Sequence, residues 1–138
     1  MLKDLPNFGG IFYAADLGQI AVVSYPVGIL IYSKEHWVSV YLSDEYIEVM
    51  DPLGFMYNSS FHFLHLFLKI NMQKRELRCS PRIQAATFSN CGKYCIAYLY
   101  HRLLSHKNLS SFLKNFSADQ TQNNLIINKL FKKIKKRK

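Results

Sequence analysis

Cysteine is scarce: Cys79, Cys91 and Cys95 are the only three in 138 residues, an odd number that cannot all pair within one chain. No secretory signal opens the sequence, so a reducing, intracellular setting is expected. Long apolar runs are missing too. The longest, 20–32, has 13 residues and is broken by Ser24, Pro26 and Gly28. A membrane-spanning helix needs roughly 20, so the run reads as buried structure in a soluble protein. Acidic residues are few, nine against 18 Lys and Arg, for a net charge of +9. No internal repeat and no linker divides the chain, which excludes a repeat array and fits a single domain over 1–138.

What is present is a core. Apolar residues make up 49% and aromatics 14%, enough to exclude wholesale disorder. The positive excess is concentrated at one end. Lys129, Lys132, Lys133, Lys135, Lys136, Arg137 and Lys138 lie in the last ten residues, on the helix and tail expected over 119–138. Such an end attracts nucleic acid, anionic membrane or an acidic partner through sequence-independent electrostatics. A solvated face on a packing helix explains the same residues without a ligand.

Periodicity places the elements. Residues 6–12 are rich in Pro, Asn and Gly and read as a turn-rich opening, followed by a short helix at 14–17. Residues 28–32 read as a buried strand, and His36–Leu42 with Tyr46–Met50 as a hairpin ended by Asp51-Pro52-Leu53-Gly54. Ser59 or Ser60 caps a helix reaching about residue 68, and Glu76–Cys79 is a short strand. The clearest helix runs over 91–104. Asn108 or Ser110 caps the next, and the last begins near Asp119 with Ile126, Ile127, Leu130, Phe131 and Ile134 on one stripe.

Four residues carry candidate chemistry. Cys91 opens the 91–104 helix, where unpaired backbone N–H groups favour thiolate over thiol. A buried structural cysteine is the plain alternative. His36 opens a strand beside Trp37, and a neutral imidazole near a thiol accepts its proton. Asp51 ends the returning strand, where a carboxylate can fix the tautomer of His36; it also suits a turn before Pro. Gln84 lies seven residues before Cys91, and its amide with the Cys91 N–H could cradle an oxyanion. Gly92 leaves room for a chain to approach the sulfur. Cys95 reads as packing, and His62, His65, His101 and His106 as ordinary helix residues without companions for a metal.

The order and spacing of these residues carry more than any one of them. His36-Trp37, Asp51-Pro52-Leu53-Gly54, Gln84 and Asn90-Cys91-Gly92-Lys93-Tyr94-Cys95, preceded by Phe8-Gly9-Gly10-Ile11-Phe12, resemble the adenovirus-type cysteine proteases (adenains) of large DNA viruses and virus-like transposons. The likeness covers roughly residues 6–104, with Asp51 where adenoviral members carry Glu. It implies a papain-like α+β fold, a small mixed sheet packed between the nucleophile helix and flanking helices. It implies a cysteine endopeptidase cleaving precursor structural polypeptides in a host nucleus or virion. In that family pattern His36, Asp51, Gln84 and Cys91 are catalytic, and Trp37, Asn90 and Gly92 support the substrate. No cofactor is required for the chemistry; DNA, bound without sequence preference by the basic end, and an activating peptide are the optional ones the resemblance suggests. A monomer is expected. Two rivals remain open: a deubiquitinase or desumoylase, and a non-catalytic DNA-binding protein on the same scaffold.

Overall fold

Val38, Val40 and Leu42 alternate with Trp37, Ser39 and Tyr41, a period of two that only an extended chain can sort onto two faces. In the computed structural model, which describes residues 2–17, 24–33, 36–54, 62–84 and 91–136, these residues form β3 (His36–Leu42). It lies at the centre of a five-stranded sheet of order β1-β2-β3-β4-β5. β2 (Val27–Ser33) and β4 (Tyr46–Met50) flank it antiparallel, and β1 (Phe8–Tyr13) and β5 (Glu76–Cys79) add on the outside in parallel. Four helices accompany the sheet among the described residues: α1 (His62–Met72), α2 (Cys91–Leu99), α3 (Leu109–Leu113) and α4 (Gln120–Lys136). The fold is therefore α+β with a mixed sheet.

Both faces of the sheet are covered. Ile29, Ile31, Val38, Val40, Leu42, Ile47 and Val49 pack beneath Leu64, Phe67 and Leu68 of α1. Leu30, Tyr41 and Met50 face the other way, against Tyr94, Tyr98 and Leu99 of α2, Phe112 of α3 and Ile127 of α4. Each such side chain contributes about 1.5–3 kcal/mol by leaving water. The seat of α2 depends on Gly28: a Cβ there would fall 2.9 Å from Leu99 Cδ2, so the helix rests directly on the β2 backbone. Beyond Leu99 the helix widens into a π turn, Tyr100–Leu104, with Ser105 N–H donating to the Tyr100 carbonyl at 3.3 Å.

One carboxylate lies within this packing. Strand alternation turns Glu48 toward the helices, where it is fully buried. The Tyr98 hydroxyl donates to its Oε1 at 2.6 Å, Leu109 N–H to its Oε2 at 3.0 Å, and Arg102 Nε lies 3.6 Å from Oε1. Glu48 thus ties β4 to α2 and to the start of α3. Removing one partner of such a group leaves the others buried and unpaired, which costs about 3 kcal/mol. Glu48→Ala is expected to lower the urea midpoint accordingly, and Tyr98→Phe by roughly a third as much; equal midpoints for wild type and Glu48→Ala overturn this.

Three strands have the bounds expected from sequence, and the 91–104 helix is α2 continued by the π turn. The Asn108 Oδ1 accepts Ser111 N–H at 2.9 Å and caps α3; Asp119 Oδ1 accepts Thr121 N–H at 3.0 Å and caps α4. The cap expected at Ser59 or Ser60 lies outside the described residues. Of the turn-rich opening expected over 6–12, Pro6 and Asn7 form a turn, while residues 8–12 belong to the strand β1. Its glycines serve a bulge at Phe8/Gly10, where Gly10 has φ +124°, a conformation that glycine alone adopts freely. Among the described residues no helix is long and apolar enough to cross a membrane.

Candidate active site

His36 is the first residue of β3 and Asp51 follows the last residue of β4, so the antiparallel pairing brings the two to one end of the sheet. His36 Nε2 lies 2.9 Å from Asp51 Oδ1, with the residues only 9% and 1% exposed. α2 starts over this same end, and Trp37 N–H donates to Cys91 Sγ at 3.4 Å. The imidazole hydrogen-bonds the sulfur in turn, so His36 stands between the carboxylate of Asp51 and the thiol of Cys91. With Nε2 committed to Asp51, Nδ1 is the nitrogen left for the sulfur.

Burial works against charge on both groups, lowering His36 and raising Cys91. The hydrogen bonds outweigh it. Asp51 and Cys91 push His36 up to about 9. His36, then the backbone N–H groups of Trp37 and Gly92, bring Cys91 below its usual value. The other two cysteines move oppositely: burial and the Asp51 charge raise Cys79 to about 11, and complete burial raises Cys95 well above its usual value. Cys95 Sγ points at the carbonyls of Trp37 (3.3 Å) and Met50 (3.7 Å), bridging β3 and β4 beneath the site. The arrangement can hold a thiolate beside an imidazolium, a nucleophile with its proton donor in place.

Two residues that sequence reasoning missed hold the frame. Ser80 Oγ accepts Asp51 N–H and donates to the Asp51 carbonyl, both at 2.8 Å, while Leu53 N–H donates to Asp51 Oδ1 at 3.0 Å. The carboxylate is thereby aimed at His36 by its own backbone. Gln84 is hung from the same turn: Ile83 N–H and Gln84 N–H both donate to the Pro52 carbonyl, at 2.9 and 3.0 Å. Asn123, fully buried on α4, donates to the Ile83 carbonyl at 2.9 Å and grips Ser117 through both ends of its amide. Gln84 itself is 3% exposed. No residue type or spacing ties Ser80 or Asn123 to the site, because the main-chain atoms of Asp51 and Ile83 that they bind are remote in sequence.

Of the remaining expected site residues, Gly92 faces the Trp37 ring: a Cβ on it would sit 3.4 Å from Trp37 Cδ1. Asn90, Arg137 and Lys138 lie outside the described residues. Lys129, Lys132, Lys133, Lys135 and Lys136 are exposed on α4, while Asn123, Ile127 and Ile134 form its buried face. Among the described residues no group of three or more His, Cys, Asp and Glu could hold a metal ion.

No family model matches the chain, and no curated protein does either. Among solved structures it is similar to the central domain of the uncharacterized Lpg1148 protein from Legionella pneumophila. The identity is 16%, with 96% of this chain aligned to 89% of that one and a TM-score of 0.51. At that identity the likeness concerns the fold alone.

Proposed function

We propose that the chain is a cysteine endopeptidase of the adenovirus-protease type, with a papain-like arrangement of its sheet and nucleophile helix. The observation that carries this reading is the single line of hydrogen bonds from Asp51 through His36 to Cys91. In it, the Cys91 thiolate attacks the carbonyl carbon of a peptide bond. The oxyanion that forms is stabilised by the Cys91 N–H and the Gln84 side-chain amide, one such donor being worth about 3 kcal/mol. The His36 imidazolium gives its proton to the leaving amine, and Asp51 keeps the ring oriented throughout. Neutral His36 then takes a proton from the water that hydrolyses the thioester, releasing the carboxylate product and restoring the ion pair.

The substrates in this reading are precursor structural polypeptides of a virus or virus-like element, met in the host nucleus or the virion. The exposed lysines of α4 support a secondary role, salt-dependent binding of DNA without sequence preference.

Alkylation needs no knowledge of the substrate and so tests the reading first. Iodoacetamide modification of each cysteine is followed by peptide mass spectrometry from about pH 4 to 9, below and through the ordinary thiol range. At about pH 6, Cys91 should react at least tenfold faster than Cys79 or Cys95, and His36→Ala should remove the difference. If Cys91 titrates alongside Cys79, the nucleophile is misassigned and the endopeptidase reading falls.

A further inference from the structure

The edge of the sheet next to Cys91 carries a feature that the hydrolytic machinery does not use. β1 is the outermost strand, and its register with β2 and β3 sets Tyr13 opposite Tyr32 and Tyr32 opposite Trp37. Three aromatic rings therefore stand side by side across three strands. The Tyr13 and Tyr32 centroids are 5.7 Å apart, the planes inclined by 62°; those of Tyr32 and Trp37 are 4.6 Å apart and inclined by 39°. Together with Ile11 and Phe12 they line an open recess of about 220 Å³. Apolar surface is left to solvent along its outer wall, Ile11 being 57% and Tyr13 64% exposed.

We propose that the recess lined by Ile11, Phe12, Tyr13, Tyr32 and Trp37 is a specificity pocket that takes an aromatic side chain of the polypeptide being cleaved. The proposal rests on the endopeptidase reading. Position comes first: the inner wall is Trp37, whose N–H contacts the Cys91 sulfur and whose ring abuts Gly92. A substrate with its carbonyl carbon at Sγ lies alongside Trp37, and the recess continues from there to the sheet edge. Size comes second. An apolar cavity of ~150 Å³ already holds a benzene ring, so this one has room for one aromatic side chain. A surface for a second copy of the chain would have to bury roughly 1,200 Å² or more, far beyond such a recess. Chemistry comes third. Among the described residues no charged side chain lines the recess, and rings at inclined angles offer both edges and faces, the partners an incoming ring prefers. The bulge at Gly10 re-aims β1 at the level of Ile11 and so belongs to the same device.

The test uses tetrapeptidyl chloromethyl ketones, in which the cysteine sulfur displaces chloride from the methylene carbon. An all-Ala parent is compared with probes carrying Phe or Lys at one position at a time. With wild type, Phe at one position should speed inactivation about tenfold or more over Ala, the discrimination that an apolar pocket gives, and Lys should not. In the Ile11→Ser/Tyr13→Ser double variant that ratio should fall below about threefold. Both substitutions are at exposed positions, so the iodoacetamide rate at Cys91 should stay within about twofold of wild type. No position favouring Phe, a larger gain with Lys, or an undiminished ratio in the double variant overturns the pocket. Failure of Cys91 to react even with iodoacetamide overturns the endopeptidase reading, and the pocket with it.

Discussion

On the endopeptidase reading, Cys91→Ala should abolish peptide cleavage, with turnover expected to fall on the order of 10⁶-fold, the loss seen when a nucleophile acting within a triad is removed. The size of the effect follows from the geometry. In the proposed mechanism His36 and Asp51 act only through the sulfur: without it the imidazole would have no thiol to deprotonate and no acyl-enzyme to resolve. The substitution is also gentle on the fold. Cys91 is 6% exposed at the start of α2, and Ala keeps the helix and removes one atom. Cys79→Ala is the matched control, a cysteine whose thiol is held up at about 11 and to which the proposed mechanism gives no role. The measurement is cleavage of an unbiased peptide library by wild type and both variants, read by mass spectrometry. A Cys91→Ala protein that still cleaves, or a Cys79→Ala protein that does not, removes the proposed mechanism.

Asp51→Asn should lower kcat about 10⁴-fold and change the shape of the pH profile. His36 is held up to about 9, so it keeps its proton through neutrality and loses it as the pH rises through that value. Cys91 is shifted down, so it is ionised above its lowered pKa and regains its proton below it. The competent thiolate–imidazolium pair exists between the two, and kcat/KM should be bell-shaped with its alkaline limb near 9. Asparagine keeps the size of the side chain but removes the charge that helps to raise His36. The imidazolium then loses its proton at lower pH, and the alkaline limb should move toward neutrality. An unmoved limb in Asp51→Asn means that the carboxylate does not tune His36, whatever happens to the rate.

The hairpin was legible because its signals are local. Alternation defines His36–Leu42 and Tyr46–Met50, and the polar triplet between them turns the chain, which is enough to bring His36 and Asp51 together. The helix beginning at Cys91 was legible for a similar reason, an apolar stripe with a polar run ahead of it. β1 was not. A parallel edge strand has no hairpin turn to announce it, and two adjacent glycines look like a turn whether they close one or make a bulge. Glu48 was hidden because a charged residue in a strand normally faces water, whereas here three partners from α2, the π turn and α3 meet it. Ser80 and Asn123 were invisible because each binds main-chain atoms that only the tertiary fold brings near.

The clamp by Asn123 bears on how the C-terminal region can be engineered. α4 looks dispensable, a lysine-rich stretch at the end of the chain, and trimming it is the obvious way to ask what its charge does. Yet its first turn grips Ile83, the residue before Gln84, and Asn128 accepts a hydrogen bond from Lys93 of α2 at 2.8 Å. Cutting it away would perturb the charge and the seat of Gln84 together. Replacing the outward lysines by glutamine separates the two, and purification tags are better joined beyond residue 136 than in place of the helix.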